Sequence, residues 1–188
     1  MTNMNIEDNK TTVNLGERTL VTQDKGTELF PEIDADGNVI GSMSRKEAHD
    51  GSKRLHAVVH LHLFNSKGEL YLQHRAAWKD IQPDKWDTAT GGHIDLGETM
   101  GEALAREVYE ELGILPDAYE ARLVKKYIYE SDREREMVYV HTATYDGEVH
   151  PSDTETSGGR FWSMQEIRDN IGKQVFTPMF EAEIQKII

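Results

Sequence analysis

Glu107, Glu110 and Glu111 lie three and four positions apart in the run Ala105–Leu112. Positions with that spacing are neighbours on a helix, so the three carboxylates would share one face. Such a row repels itself unless a cation stands in front of it. Magnesium takes oxygen ligands, keeps several waters and works beside a substrate phosphate, so a carboxylate row of this kind suits it. Arg106, four positions before Glu110, can offset part of the charge. Gly91-Gly92 and Gly97 permit sharp bends and a close backbone approach, and a glycine carbonyl can serve as a further ligand. Taken alone, the glutamates also fit a plain solvated helix face.

The elements that must position them can be read from capping and periodicity. A helix is predicted from Met100 to Leu112, with Thr99 as N-cap, Glu102 completing a capping box, and Leu104, Ala105, Val108 and Leu112 facing a core. Two further helices are expected, one after Ser163 with Glu166 in the box position, the other from Thr177-Pro178 over Met179–Ile188. Apolar runs flank the turns Asp34–Gly37 and Asn65–Gly68, predicting hairpins from Leu29–Ile33 with Asn38–Ile40 and from Leu55–Phe64 with Glu69–His74. Arg122–Tyr129, Met137–Tyr145, Arg160–Trp162 and a short piece around Thr19–Thr22 are the other strand candidates. Strands interleaved with a few helices, without βαβ alternation, indicate an α+β domain or a mixed-sheet α/β sandwich.

The chain has 188 residues, enough for one domain at 27–188 behind a polar extension at 1–26. A formal net charge of −13 argues against nucleic acid and anionic membrane as partners. The absence of cysteine removes disulfides, thiolate metal sites and a cysteine nucleophile. The first residues carry no basic and apolar leader pattern, and no apolar run approaches the ~20 residues of a membrane span, so the expected location is the cytoplasm. The partner these limits leave is a small molecule, and a homodimer stays open.

The segment Gly91–Ile114 resembles the Nudix box. Gly92, Glu98, Arg106, Glu107, Val108, Glu110, Glu111, Gly113 and Ile114 occupy its slots in order. With seven fixed residue types at usages near one in twenty, a chance match is on the order of 10⁻⁹ per starting position, which sets the bland reading of the glutamates aside. The resemblance implies the Nudix fold, an α/β/α sandwich with a mixed sheet, and Mg²⁺-dependent hydrolysis of a diphosphate, with Mn²⁺ as a substitute. It also implies that Glu107, Glu110 and Glu111 are metal ligands or base, that the Gly91 carbonyl is an added ligand, and that Glu98 and Arg106 hold the loop and helix together.

Beyond the box, His49, Lys53–His56, Leu63–Leu70, Arg75, Trp86, His93, Trp162 and Phe176–Pro178 resemble the type I isopentenyl-diphosphate isomerase branch of the same superfamily. That resemblance implies a second metal set, His49, His56 and His93 with Glu134 and Glu136, and diphosphate contacts from Arg45, Arg75 and Lys79. Two departures matter. Gly91 stands where the isomerases place their catalytic cysteine, and Glu107 stands where they carry a basic residue. The combination implies an isomerase-like hydrolase. Read from the residues alone, His60 and His62 are the polar face of a half-buried strand, and Trp78 and Trp86 are loop or core packing.

Overall fold

The computed structural model describes residues 6, 28–79, 82–152 and 156–187; the strand expected around Thr19–Thr22 lies outside them. The elements are β1 (Leu29–Ile33), β2 (Val39–Ser44), α1 (Arg45–Ala48), β3 (Leu55–Phe64), β4 (Leu70–Arg75), β5 (Trp86–Asp87), β6 (Thr90–His93), α2 (Met100–Leu112), β7 (Arg122–Glu130), β8 (Arg135–Thr144), β9 (Thr156–Trp162), α3 (Met164–Asn170) and α4 (Pro178–Ile187). The class is the α+β arrangement with a mixed sheet that the sequence indicates. Strands β5, β4, β3, β8 and β7 follow one another in a seven-stranded sheet, with β6 paired to β3 and β9 to β4, while β1 and β2 form a sheet of their own. The described residues fall into two compact units.

The first unit holds the described residues up to Val59, Gly92–Ala105 and Lys126–Tyr139. Its β1–β2 hairpin closes over an Asp34 turn. The Asp34 carboxylate accepts from the Asp36 and Asn38 amides at 2.9 Å each, and Gly37 takes φ +88°, where a Cβ is disfavoured. Phe30 pairs with Met43 across the ladder, and both join Ala48 of α1 in a small apolar cluster. α1 has four residues and carries a complete Ser44–Glu47 capping box. The expected Thr99–Glu102 box starts α2: the Glu102 amide donates to Thr99 Oγ1 at 3.3 Å, and the Thr99 amide donates back to Glu102 at 2.9 Å. The carbonyl of Ile6, a buried residue, accepts from the Met100 amide at 3.0 Å.

The second unit holds His60–Gly91, Arg106–Lys125 and the described residues from Val140 onward. β4 pairs with β3 through Leu63–Tyr71 and Phe64–Leu70, and with β9 from Leu70–Trp162 onward. The connecting turn is built by Asn65, whose side-chain oxygen accepts from the Lys67 and Glu69 amides at 3.0 and 2.9 Å. Leu70, Leu72, Trp162, Ile167, Phe176, Phe180 and Ile184 form the core between β4, β9, α3 and α4. α3 begins at the expected Ser163–Glu166 box. β3 corrects the sequence reading of its histidines. It is buried on both faces, with His60 9% and His62 0% exposed, so neither lies on a solvated polar face. Trp86 packs as expected, 5.1 Å from Trp162 ring to ring, but Trp78 is 64% exposed and packs into no core.

Candidate functional site

Two groups of candidate residues are assembled, one in each unit. In the second unit the C-terminal part of α2 presents the acidic row. Arg106 and Glu107 are half-buried, Glu110 is exposed and Glu111 is half-buried, while Val108 and Leu112 are sunk in the core. Arg106 Nη1 lies 3.5 Å from Glu110 Oε2, the pairing that the four-residue spacing suggests, and 2.7 Å from Glu107 Oε1, which the spacing does not suggest. Glu111 is turned toward β6 and β4, accepting from Thr90 Oγ1 at 2.5 Å and from Gln73 Nε2 at 3.4 Å. Beyond the row, Gly113 ends the helix at φ +67°, and a Cβ there would stand 3.1 Å from the His150 Cβ. The amides of His150 and Ser152 close this end by donating to the Leu112 and Glu111 carbonyls, each at 2.9 Å.

Gly91 sits against a buried histidine pair. A Cβ at position 91 would fall 2.9 Å from Cδ2 and 3.1 Å from Nε2 of His60. The His60 ring is held from behind. Its Nδ1 lies 3.0 Å from Glu183 Oε2, and His62 Nε2 lies 2.6 Å from Glu183 Oε1. Glu183 is 1% exposed, and burial alone would raise its pKa. The charges and hydrogen bonds of His60 and His62 outweigh burial and hold the carboxyl well below the usual carboxylate range. His60, His62 and Glu183 thus form a linked group that periodicity does not reveal, because the partners are more than a hundred residues apart.

Arg75 and Lys79 border the loop after β4. Arg75 Nε donates to the Gln82 carbonyl at 3.2 Å, and its Nη1 lies 3.5 Å from Asp87. Burial raises the Asp87 pKa, against the opposing pull of Arg75 and of bonds from the Thr88 amide and the Thr177 hydroxyl. Arg75 therefore also shapes the loop it borders. Lys79 is half-buried, and its amide donates to the Ala76 carbonyl at 3.1 Å.

In the first unit, Glu98 is 8% exposed and accepts from the Asp95 amide at 3.0 Å, bracing the loop ahead of α2. Arg45, the third expected diphosphate contact, pairs with Glu28 at 2.8 Å. The same unit gathers the histidines. Ligand atoms of His49, His56, His93 and Glu136 all lie within 4.8 Å of one another. His49 Nε2 is 3.2 Å from His93 Nε2 and 3.3 Å from Glu134 Oε2, and His56 Nε2 is 3.8 Å from Glu136 Oε1. The tautomers follow from the backbone. A carbonyl only accepts, so His49 Nδ1 donates to the Arg45 carbonyl at 2.7 Å and His56 Nδ1 donates to the Arg54 carbonyl at 3.2 Å. Both rings thereby direct Nε2 toward the cluster.

These donors fit a metal ion. The His56 Nε2 is buried and makes no hydrogen bond among the described residues, a cost that a bound cation would remove. Burial lowers the His56 pKa to about 4, so the ring is neutral and able to ligate near pH 7. A tetrahedral ion with bonds of about 2.0–2.1 Å spaces its nitrogen ligands about 3.3 Å apart, matching the His49–His93 separation. Three imidazoles with carboxylates suit Mn²⁺ or Zn²⁺, whereas the all-oxygen row on α2 suits Mg²⁺. Glu134 and Glu136 owe their placement to the turn between β7 and β8, where Ser131 Oγ accepts from the Arg133 and Glu134 amides at 3.2 Å each. Tyr129 borders the same group. Its pKa is raised by burial and then by Glu134 and Glu136, a proximity with no sequence signal.

No helix among the described residues is long and apolar enough to cross a membrane. The NUDIX domain family matches residues 53–180, more than half of the chain. An isopentenyl-diphosphate Delta-isomerase of Leifsonia xyli is 33% identical over 149 residues, covering 76% of this chain and 79% of that protein. An uncharacterized Nudix hydrolase of Pseudomonas aeruginosa is 34% identical over 134 residues, covering 71% and 78%. Among solved structures, DR0079 of Deinococcus radiodurans superposes with a TM-score of 0.72 at 22% identity, over 85% of this chain and 98% of that one, which shows the shared fold. With the box residues in their slots from Gly92 to Ile114, the chain belongs to the NUDIX domain family, in the branch that resembles the isopentenyl-diphosphate isomerases.

Proposed function

We propose that the protein is a pyrophosphohydrolase that cleaves a diphosphate linkage in a small phosphorylated molecule, such as a nucleoside diphosphate joined to another group. The observation that carries this reading is the acidic row itself. Glu107, Glu110 and Glu111 are all present on one helix, with Arg106 2.7 Å from Glu107 and Thr90 2.5 Å from Glu111. Mg²⁺, or Mn²⁺ in its place, would be held by these carboxylates and the Gly91 carbonyl, and would supply charge neutralisation and an acidified water. Glu107 is assigned the base role, kept oriented by Arg106, while Glu110 and Glu111 mainly bind metal. Glu98 braces the loop ahead of the helix. Arg75 and Lys79, in the same unit as the acidic row, are assigned to the diphosphate. The net charge of −13 favours a small-molecule partner over nucleic acid or an anionic membrane, in the cytoplasm.

The test is a panel of nucleoside diphosphate conjugates, nucleoside triphosphates, dinucleotides and isoprenoid diphosphates, assayed for phosphate or monophosphate release with Mg²⁺ and with Mn²⁺. Turnover of at least one compound, abolished by chelation, is expected. No turnover with any divalent ion would overturn the proposal in favour of a ligand sensor. A second reading, action on an isoprenoid diphosphate as an isomerase, is favoured by the assembled His49–His56–His93–Glu136 group and by the names of the relatives. Gly91 supplies no proton-moving group, so incubation with isopentenyl diphosphate is expected to yield no allylic product. Its appearance at an enzymatic rate would reverse the order of the two readings.

A further inference from the structure

The histidine cluster is not held by its hydrogen bonds alone. Phe30, in β1 and 0% exposed, lies against it. Its ring is 4.3 Å from that of His93 with an interplanar angle of 2°, and 6.0 Å from that of His56 at 18°. His49 stands edge-on to both, at 82° to His56 and 85° to His93. Two imidazole planes thus lie parallel to one phenyl face, and the third ring closes against their edges. The phenyl ring is itself fixed. Phe30 pairs with Met43 in the β1–β2 ladder and packs with Met43 and with Ala48, the residue directly before His49.

We infer that Phe30 is a positioning residue for a metal held by His49, His56 and His93, and that the β1–β2 hairpin with α1 is the scaffold that completes the site. This rests on the reading of those histidines, with Glu134 and Glu136, as metal ligands. The physical reason is rotational. The torsion that orients an imidazole plane is broad, so a ring holds one plane only where something flat or a directed hydrogen bond fixes it. The Arg45 and Arg54 carbonyls do this for His49 and His56. For His93 the phenyl face adds a flat support beside the 3.2 Å contact with His49 Nε2, the rings lying 4.3 Å apart centroid to centroid, slightly closer than the ~4.5–7 Å usual for aromatic pairs. The family match begins at residue 53, so Phe30, Met43, Arg45, Ala48 and His49 all lie ahead of it. The inference thus assigns a metal-orienting task to the segment before the matched domain.

The experiment uses the full chain, stripped with chelator and titrated with Co²⁺, whose visible absorption reports both affinity and coordination geometry. Phe30→Leu keeps the position apolar and removes the flat face. It is expected to weaken Co²⁺ binding by about 10- to 100-fold, as loss of a ligand's orienting partner does, and to alter the absorption band. Met43→Ala opens the same apolar cluster but keeps the phenyl face and all three imidazoles. It should lower the apo melting temperature at least as much while weakening Co²⁺ binding clearly less than Phe30→Leu does. Should Phe30→Leu fail to fold, Phe30→Met takes its place with the same expectation. Cobalt affinity and spectrum of the Phe30 variant equal to wild type would overturn the inference while leaving the metal reading intact, and so would an equal loss in Met43→Ala. No cobalt absorption in the wild-type protein would overturn the metal reading and this inference together.

Discussion

Placing a cysteine at position 91 restores on paper the residue that the related isomerases carry, yet the geometry opposes it. The new Cβ would stand 2.9 Å from His60 Cδ2 and 3.1 Å from Nε2, closer than carbon and nitrogen pack without repulsion. An exposed side chain could swing away. His60 is 9% exposed and its Nδ1 lies 3.0 Å from the buried Glu183 carboxylate, so movement of the ring weakens a charge-assisted bond. Overpacking of this kind costs about 1–3 kcal/mol. At about 2 kcal/mol, a chain of this length should lose roughly 4–8 °C in melting temperature. Circular-dichroism melts of wild type, Gly91→Cys, His60→Ala and the double variant measure this directly. Removing the His60 ring should make the cysteine nearly neutral, giving a coupling of about 1–2 kcal/mol in the cycle. A Gly91→Cys protein as stable as wild type, or effects that simply add, would refute the reasoning. The same geometry predicts that the single variant gains no isomerase activity, since the thiol would have to share its volume with an imidazole.

Legibility in the sequence tracked the range of the interactions involved. α2 was readable because its start is a local device, the Thr99–Glu102 box, and its apolar spacing runs on to Leu112. The turn at Asn65–Gly68 was equally readable, since Asn65 bonds amides two and four residues ahead. α1 carries the same Ser-x-x-Glu pattern, but four residues are too few for periodicity to reveal a helix. The box glutamates could be named from their register alone. Their partners could be named only in part: Arg106 is a helix neighbour, whereas Thr90 reaches Glu111 across 21 positions. His60 and His62 were misread because alternation along β3 looks like a polar face, and only the fold brings Glu183 against them. Phe30 had no signal either, because a phenylalanine in a short strand reads as core until the histidines are seen to stack on it.

Four further outcomes are expected. Glu107→Gln should lower kcat by about 10²–10⁴-fold even at saturating Mg²⁺, since loss of a base is not restored by metal; full recovery at high Mg²⁺ in initial-rate titrations would reduce Glu107 to a ligand. Glu110→Gln and Glu111→Gln should instead raise the Mg²⁺ needed for half-maximal rate, and near-normal behaviour of all three variants would place the chemistry elsewhere. Mn²⁺ soaked into crystals should give anomalous density beside α2 when activity is supported, and density confined to the histidines would contradict assignment of the hydrolysis to the glutamate row. The last outcome concerns acid stability and follows from Glu183. Its folded pKa lies below the ordinary value of 4.5, because His60 and His62 outweigh the opposing effect of burial. The unfolded chain therefore binds the proton first as pH falls, so the contribution of Glu183 is fully present above that ordinary value and is lost as pH drops through the folded one. Urea unfolding between pH 7 and pH 3 should show this loss beginning near the ordinary carboxylate range. Glu183→Gln should be less stable at pH 7, where two buried histidines lose their carboxylate, and should show a flatter acid limb. A variant whose acid limb is as steep as that of wild type would mean that other carboxylates carry the dependence and that the buried pairing contributes little.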